Sequence, residues 1–370
     1  MNAQRSRLTA ETAVGLARLL FGAICLANVL LHLDPAYRAQ FLSSLAADWA
    51  PGQPAWLAAW GHAMAAGVQT LGVGVVVTAM VVIESVLALS LLTGAWLHRL
   101  AWAGIVYNLW LWSTVGGLGG PYTPGATDPG TAIVYVLAFA LVLLTHAWRP
   151  LSTFRHDPMQ APANWKLRLG EISFGLLWTF DAYWKWQPDF LLHGVDNLTA
   201  SQAGQPGWIV AYIGFFIRVI GIVGPLAFGI AVALAESVIA LALLFDVLLD
   251  WVLPLGAIYS LVLWTTAEGW GGPYAAGATG NKGDVLGTAT LYVLVFLFLI
   301  AARAERAVRA RATPAVRCGT SEQVHPGLVR GRRVRRRACP GPDPGSGPGY
   351  AASGTCVLDA RQAIHGLGKV

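Results

Sequence analysis

Charge is scarce in this 370-residue chain. Asp, Glu, Lys and Arg together make up 12% of it, about half the share of an average soluble domain, while 55% is hydrophobic. That balance excludes an ordinary soluble enzyme. Cysteine is also scarce and badly spaced for chemistry: Cys25 lies inside the first apolar run, and Cys318, Cys339 and Cys356 are spread through the C-terminal region. No CxxC, CxxCH or zinc-finger spacing results, so neither a disulfide framework nor a metal site is expected. The eight histidines put no pair in the middle of an apolar run, which argues against haem. Basic charge is missing where nucleic acid would need it. Residues 302–370 hold 13 Lys/Arg against 4 Asp/Glu, a net of +9, which leaves −3 for residues 1–301. The basic pI of 9.3 is therefore a property of the tail, and a nucleic-acid partner is not expected.

What the chain has is apolar length, with a mean hydropathy of +0.55. Eight runs approach what about 30 Å of hydrocarbon requires: 13–33, 68–92, 96–115, 131–148, 169–186, 225–249, 252–267 and 287–302. The stretches 34–66 and 187–222 are broken by Asn, Asp and Pro, although 207–222 is apolar enough for an interfacial or re-entrant helix. The first run exceeds a signal-peptide core in length and lacks a cleavage site after it, so it reads as an anchor. Arg5, Arg7, Arg99, Arg149, Arg155, Lys166, Arg168, Arg303, Arg306 and Arg309 all fall on one side of this arrangement. The positive-inside rule then makes both termini cytoplasmic and puts the loops 34–66, 116–130, 187–222 and 268–286 outside. The expected class is an all-α, multi-pass protein of the cell membrane. The Arg-, Pro- and Gly-rich segment 303–370 is expected to be a disordered cytoplasmic tail, able to lie against anionic lipid.

The apolar region is duplicated. A shift of 152 residues lays QPAW (53–56) on QPGW (205–208), Glu84 on Glu236, and Tyr107 on Tyr259. It also lays LWSTVGGLGGPYTPGAT (111–127) on LWTTAEGWGGPYAAGAT (263–279). The shift is 153 near the start, pairing Phe21-Gly22 with Phe174-Gly175, and 157 after the loop, pairing Tyr135 with Tyr292. Two tandem four-helix units follow, 1–150 and 151–302. An even number of spans in each gives both the same orientation, a parallel repeat.

Glu84 and Glu236 lie within otherwise apolar runs, where an ionisable group costs about 2.5–3.5 kcal/mol on insertion scales. Two readings offset that cost. Each carboxyl is either a protonatable site exchanging protons with a reducible ligand such as a quinone, or a protonated hydrogen-bonding group holding a neighbouring helix. Asp181 and Lys185, four residues apart, share a helical face, and the first copy has Asn28 and His32 there. They either line an outer-leaflet pocket, with Lys185 or His32 binding an anionic or carbonyl oxygen, or form a structural ion pair. The duplicated glycine-rich loop brings Trp112, Tyr122, Trp264 and Tyr274 to the outer face, as the rim of a ring-binding site or as an aromatic belt. No P-loop ending accompanies these glycines.

The segment ESVLALSLLTGAWLHR (84–99) resembles the second-helix signature of the DoxX/DoxD-like membrane family: an acidic residue opening an apolar helix, a Gly near its end, then an Arg. The fifth run, with Gly175 and Lys185, is similar to that family's first helix. The resemblance covers about residues 13–302 as two tandem copies. Each copy departs from the pattern: His32 stands opposite Lys185, and Gly94 and Arg99 stand opposite Asp246 and Trp251. The resemblance implies a membrane subunit of a quinone-linked oxidoreductase, taking electrons from a reduced sulfur compound such as thiosulfate and working with a small partner subunit. Glu84 and Glu236 would then be the proton-exchanging groups. Two other classes stay open: a small-solute transporter or channel lined by the same acids, and a non-catalytic scaffold for a respiratory complex. An apolar cavity beside Glu84 or Glu236 that reaches the glycine turns is the structural feature that would favour ligand chemistry.

Overall fold

The structure, a computed structural model, describes residues 2–35, 37, 41, 45, 53–120, 122, 129–153, 164–272 and 286–312, with side chains described between 11 and 308. The tail at 313–370, Pro121, Pro273 and Tyr274 lie outside that set. The described residues form eleven α-helices and no strand. In the first half these are α1 (Asn2–His32), α2 (Ala55–Leu71), α3 (Val73–Thr93), α4 (Leu97–Ser113) and α5 (Thr131–Leu144). The second half has α6 (Asn164–Lys185), α7 (Pro188–Ala200), α8 (Gly207–Val223), α9 (Pro225–Phe245), α10 (Leu249–Thr265) and α11 (Gly287–Ala312). Four stretches are long and apolar enough to cross a bilayer: Glu11–His32, Val73–Thr93, Pro225–Phe245 and Gly287–Val308. Helices α5, α8 and α10 are apolar but shorter.

Several expected boundaries shift for local reasons. The run at 68–92 is divided, because Gly72 has φ of 90° and ends α2 before α3 begins. Gly224, the same repeat position, has φ of 99° and divides α8 from α9, where Pro225 takes the first helical position. The run at 225–249 stops at Phe245, since Asp246 adopts left-handed geometry and Leu248 does so just before α10. A helix at 207–223 is present where an apolar interfacial helix was expected, and its counterpart α2 occupies the end of the stretch read as a loop.

Equivalent helices make equivalent contacts. Helix α1 packs on α3 as α6 packs on α9, and α4 packs on α5 as α10 packs on α11. The halves meet through α1 with α11, α5 with α6, and α5 with α11. Where α5 and α11 begin, the hydroxyls of Thr131 and Thr288, themselves repeat partners, are 2.8 Å apart. Two close approaches recur as well: a Cβ on Gly104 would collide with the Phe139 ring, and one on Gly256 with the Phe296 ring. In a bilayer such packing supplies association energy that apolar burial does not, since lipid is as apolar as the helix.

The distribution of polarity is inverted relative to a water-soluble bundle. Leu30, Val75, Leu89, Trp102, Leu241 and Ile258 are exposed, whereas Arg18, Asn28, His32, Glu84, Glu171 and Glu236 are buried. Apolar outside and polar inside suits a hydrocarbon surrounding, and makes every internal polar group answerable to another within the bundle. Phe21, Phe139, Phe174, Trp178 and Phe296, all essentially inaccessible, form the core between the halves.

Candidate functional site

The repeat builds two side-chain clusters at equivalent places. In the first half His32, from the last turn of α1, puts Nδ1 2.6 Å from Oε2 of Glu84 on α3. Tyr107 on α4 donates its hydroxyl to the other carboxylate oxygen at 2.5 Å. One turn from His32, the Asn28 amide donates to the hydroxyl of Tyr135 on α5. The His32 ring also stacks on Tyr37, with centroids 4.1 Å apart. Three helices thus meet at one carboxylate, and α5 joins them through Asn28, because Asn28 and His32 are four residues apart on α1 and face the same way. A buried carboxylate with an imidazole and a phenol on its two oxygens has the charge-assisted partners it needs.

The second half repeats this wiring with different groups. Lys185 Nζ lies 4.0 Å from Oε1 of Glu236, and Tyr259 donates to the same oxygen at 2.9 Å. Tyr292 donates to Asp181 at 2.6 Å. Asp181 and Lys185, neighbours on α6, therefore each reach to another helix. Lys185 also sits over the Phe190 ring at 4.8 Å, on α7.

A cavity of about 490 Å³ opens beside the first cluster. Its polar wall is formed by Asn28, His32, Glu84, Tyr107 and Tyr135, and its apolar wall by Met80, Leu87, Leu111, Val115 and Phe139. Its lining also includes Cys25 on α1, and Gly116, Gly120, Gly130 and Thr131, where α4 ends and α5 begins. A volume in that range accommodates a ring-sized organic ligand. At the turn itself, the Trp112 indole N–H donates to the Pro129 carbonyl at 2.8 Å and the ring packs behind Gly116 and Gly130, outside the cavity's lining. Tyr122 is exposed and donates to the Leu118 carbonyl at 2.7 Å. Partial burial raises the pKa of that phenol. Trp264 packs edge-on against Trp270, with centroids 5.1 Å apart. Of the aromatic rim expected from the two loops, these three residues hold the turns together and Tyr274 lies outside the described residues.

Tyr107, Tyr135 and their counterparts Tyr259 and Tyr292 were not among the candidate site residues. The signal was present, since both pairs match in the repeat; what could not be read was that their hydroxyls point inward. Among the described residues no group of three or more His, Cys, Asp or Glu could hold a metal ion. Comparison with known proteins gives no matching family model, no matching curated protein and no matching solved structure.

Proposed function

We propose that this chain is a multi-pass membrane protein of eight spans, in two tandem parallel four-helix units with both termini cytoplasmic, and that it binds a membrane quinone as a subunit of an oxidoreductase. The observation that carries the reading is the cavity whose polar end is the His32–Glu84–Tyr107 cluster. Its residues fit a quinone head group: a ring needs flat apolar walls, which Leu87, Leu111 and Phe139 supply, and carbonyl oxygens need donors, which the cluster holds at one end. The resemblance to DoxX/DoxD-like proteins supports the same class and suggests a reduced sulfur donor.

When bound, a quinone accepts two electrons and two protons and leaves as quinol; two thiosulfate ions supply the electrons, one each, and join through a new S–S bond. The chain's own contribution is to protons and position. The short His32–Glu84 hydrogen bond lets one proton move within the pair without creating a lone buried charge. Tyr107 fixes the carboxylate through its second oxygen, and the Asn28–Tyr135 pair sets the orientation of a polar ligand atom one helical turn away. The apolar wall keeps bulk water from the exchange.

Purified in mild detergent, the protein is expected to retain extractable quinone. Glu84→Gln keeps the size of the side chain but cannot carry the proton, and should slow quinone reduction by about 100-fold or more with the helical content unchanged. The assay follows quinone absorbance with thiosulfate as donor. Extraction that yields no quinone, together with an unchanged rate in Glu84→Gln, overturns the proposal; activity only with other donors redirects the donor assignment.

A further inference from the structure

The repeat registers align Cys25 with Trp178, Tyr107 with Tyr259, Tyr135 with Tyr292 and Phe139 with Phe296. In the first half these four positions line the cavity. In the second half Trp178 is fully buried, and its ring centroid lies 6.0 Å from Tyr259, 4.9 Å from Tyr292 and 5.9 Å from Phe296. The indole therefore touches the counterparts of the very side chains that surround the open space. Its N–H finds no acceptor among the described residues, so it is held by shape and not by a polar partner. The upper end differs in the same sense. Gly116 lines the cavity, whereas its counterpart Glu268 extends a carboxylate to the Ala289 N–H at 2.9 Å, across the start of α11. Exposure agrees: Glu84 retains 9% accessibility and Glu236 only 1%.

We infer that the two copies have divided their roles: only the first holds a ligand, Cys25 sets the space available to it, and Trp178 with Glu268 permanently fills the equivalent space in the second. Cys25 is then a specificity-determining residue acting through its small volume. The assignment of a quinone rests on the function proposed above; the division of roles rests on packing alone.

The test measures decylubiquinone bound per chain by the full-length protein. One equivalent is expected for the natural sequence, and less than about one tenth of that for Cys25→Trp. Trp178→Cys combined with Glu268→Gly, the residues of the first copy, should raise the amount toward two equivalents. Should Cys25→Trp fail to fold, the series Ala, Val, Phe at position 25 carries the test, with binding falling as volume rises. Unchanged binding in Cys25→Trp or Cys25→Phe, or one equivalent in the Trp178→Cys, Glu268→Gly double variant, each overturns the division of roles. N-ethylmaleimide, mapped by peptide mass, separates this from the quinone reading. The Cys25 sulfur adds across the maleimide double bond and its proton passes to the adjacent carbon, which requires only that the cavity be open. Alkylated Cys25 with no quinone bound by any variant removes the quinone and leaves the open first copy standing; Cys25 that stays unlabelled in quinone-free protein removes the cavity.

Discussion

The two halves share helix pairing and side-chain wiring, yet differ at the handful of positions where chemistry is decided. His32 meets Glu84 at 2.6 Å, while Lys185 meets Glu236 at 4.0 Å. The first pair is a hydrogen bond between imidazole and carboxylate, and the second a longer contact between an alkylammonium and a carboxylate oxygen that already accepts from Tyr259. The ends of the helices away from these clusters differ just as plainly. Arg18 donates to the backbone carbonyls of Leu151 at 3.0 Å and Ala147 at 3.4 Å, and Gly94 leaves room for it. At the matching position the second half has Glu171, bonded by Arg303 at 2.7 Å and Arg168 at 3.3 Å, and Arg303 also reaches Asp246 at 3.2 Å. The departures Gly94 and Asp246 are thus two sides of one exchange of charge. Duplication supplies one copy that can be filled and locked, which lets the other carry the cost of an open, polar interior.

The comparison breaks most visibly at His32. Replacing it with Lys imports the second copy's cation into the first without closing the cavity. Bound quinone should persist while its reduction slows by about 100-fold. Measuring both quantities on one preparation decides the matter: a normal rate would mean that the His–Lys difference carries no function.

A stability measurement sharpens the same contrast. Adding a methyl at Gly104 or Gly256 pushes on an aromatic ring, Phe139 or Phe296. Phe139 borders the cavity and has somewhere to go. Each ring has a phenylalanine 4.8 Å away, Phe21 for Phe139 and Phe174 for Phe296, but Phe296 is confined further by Trp178 at 5.9 Å. Gly256→Ala should therefore cost about 1–3 kcal/mol and lower Tm by several degrees, and Gly104→Ala clearly less. Equal losses would mean that the first copy is packed as tightly as the second.

Much of this could be read from the sequence, and the remainder fails for identifiable reasons. The repeat, the costly acids and the pairing of position 28 with 181 and 32 with 185 are visible because composition makes them rare. The break at Gly72 is not, since a glycine inside an apolar run gives no sign of its φ until the flanking helices are packed. Trp178 in an apolar run reads like any belt aromatic; only its contacts reveal it as the filling of a site. Trp112, Tyr122 and Trp264 were candidates for a ring-binding rim on loop position alone, yet their contacts tie them to Pro129, Leu118 and Trp270. Side-chain direction at a turn depends on backbone geometry such as the left-handed Leu118 and Trp270, which residue type does not encode.

The smallest expected effect lies where the halves touch. Thr131 and Thr288 share one hydrogen bond, and such a bond between membrane helices is worth about 0.6 kcal/mol on average. If that bond is all either hydroxyl does, Thr131→Val and Thr288→Val should destabilise equally, and the double variant should cost no more than either alone. Thr131, however, also lines the cavity. A ligand that uses its hydroxyl would make Thr131→Val weaken quinone binding while Thr288→Val does not. A binding difference between two residues that are equivalent in sequence and joined in space would show the asymmetry reaching the interface itself, whereas identical binding would confine it to the interior of each half.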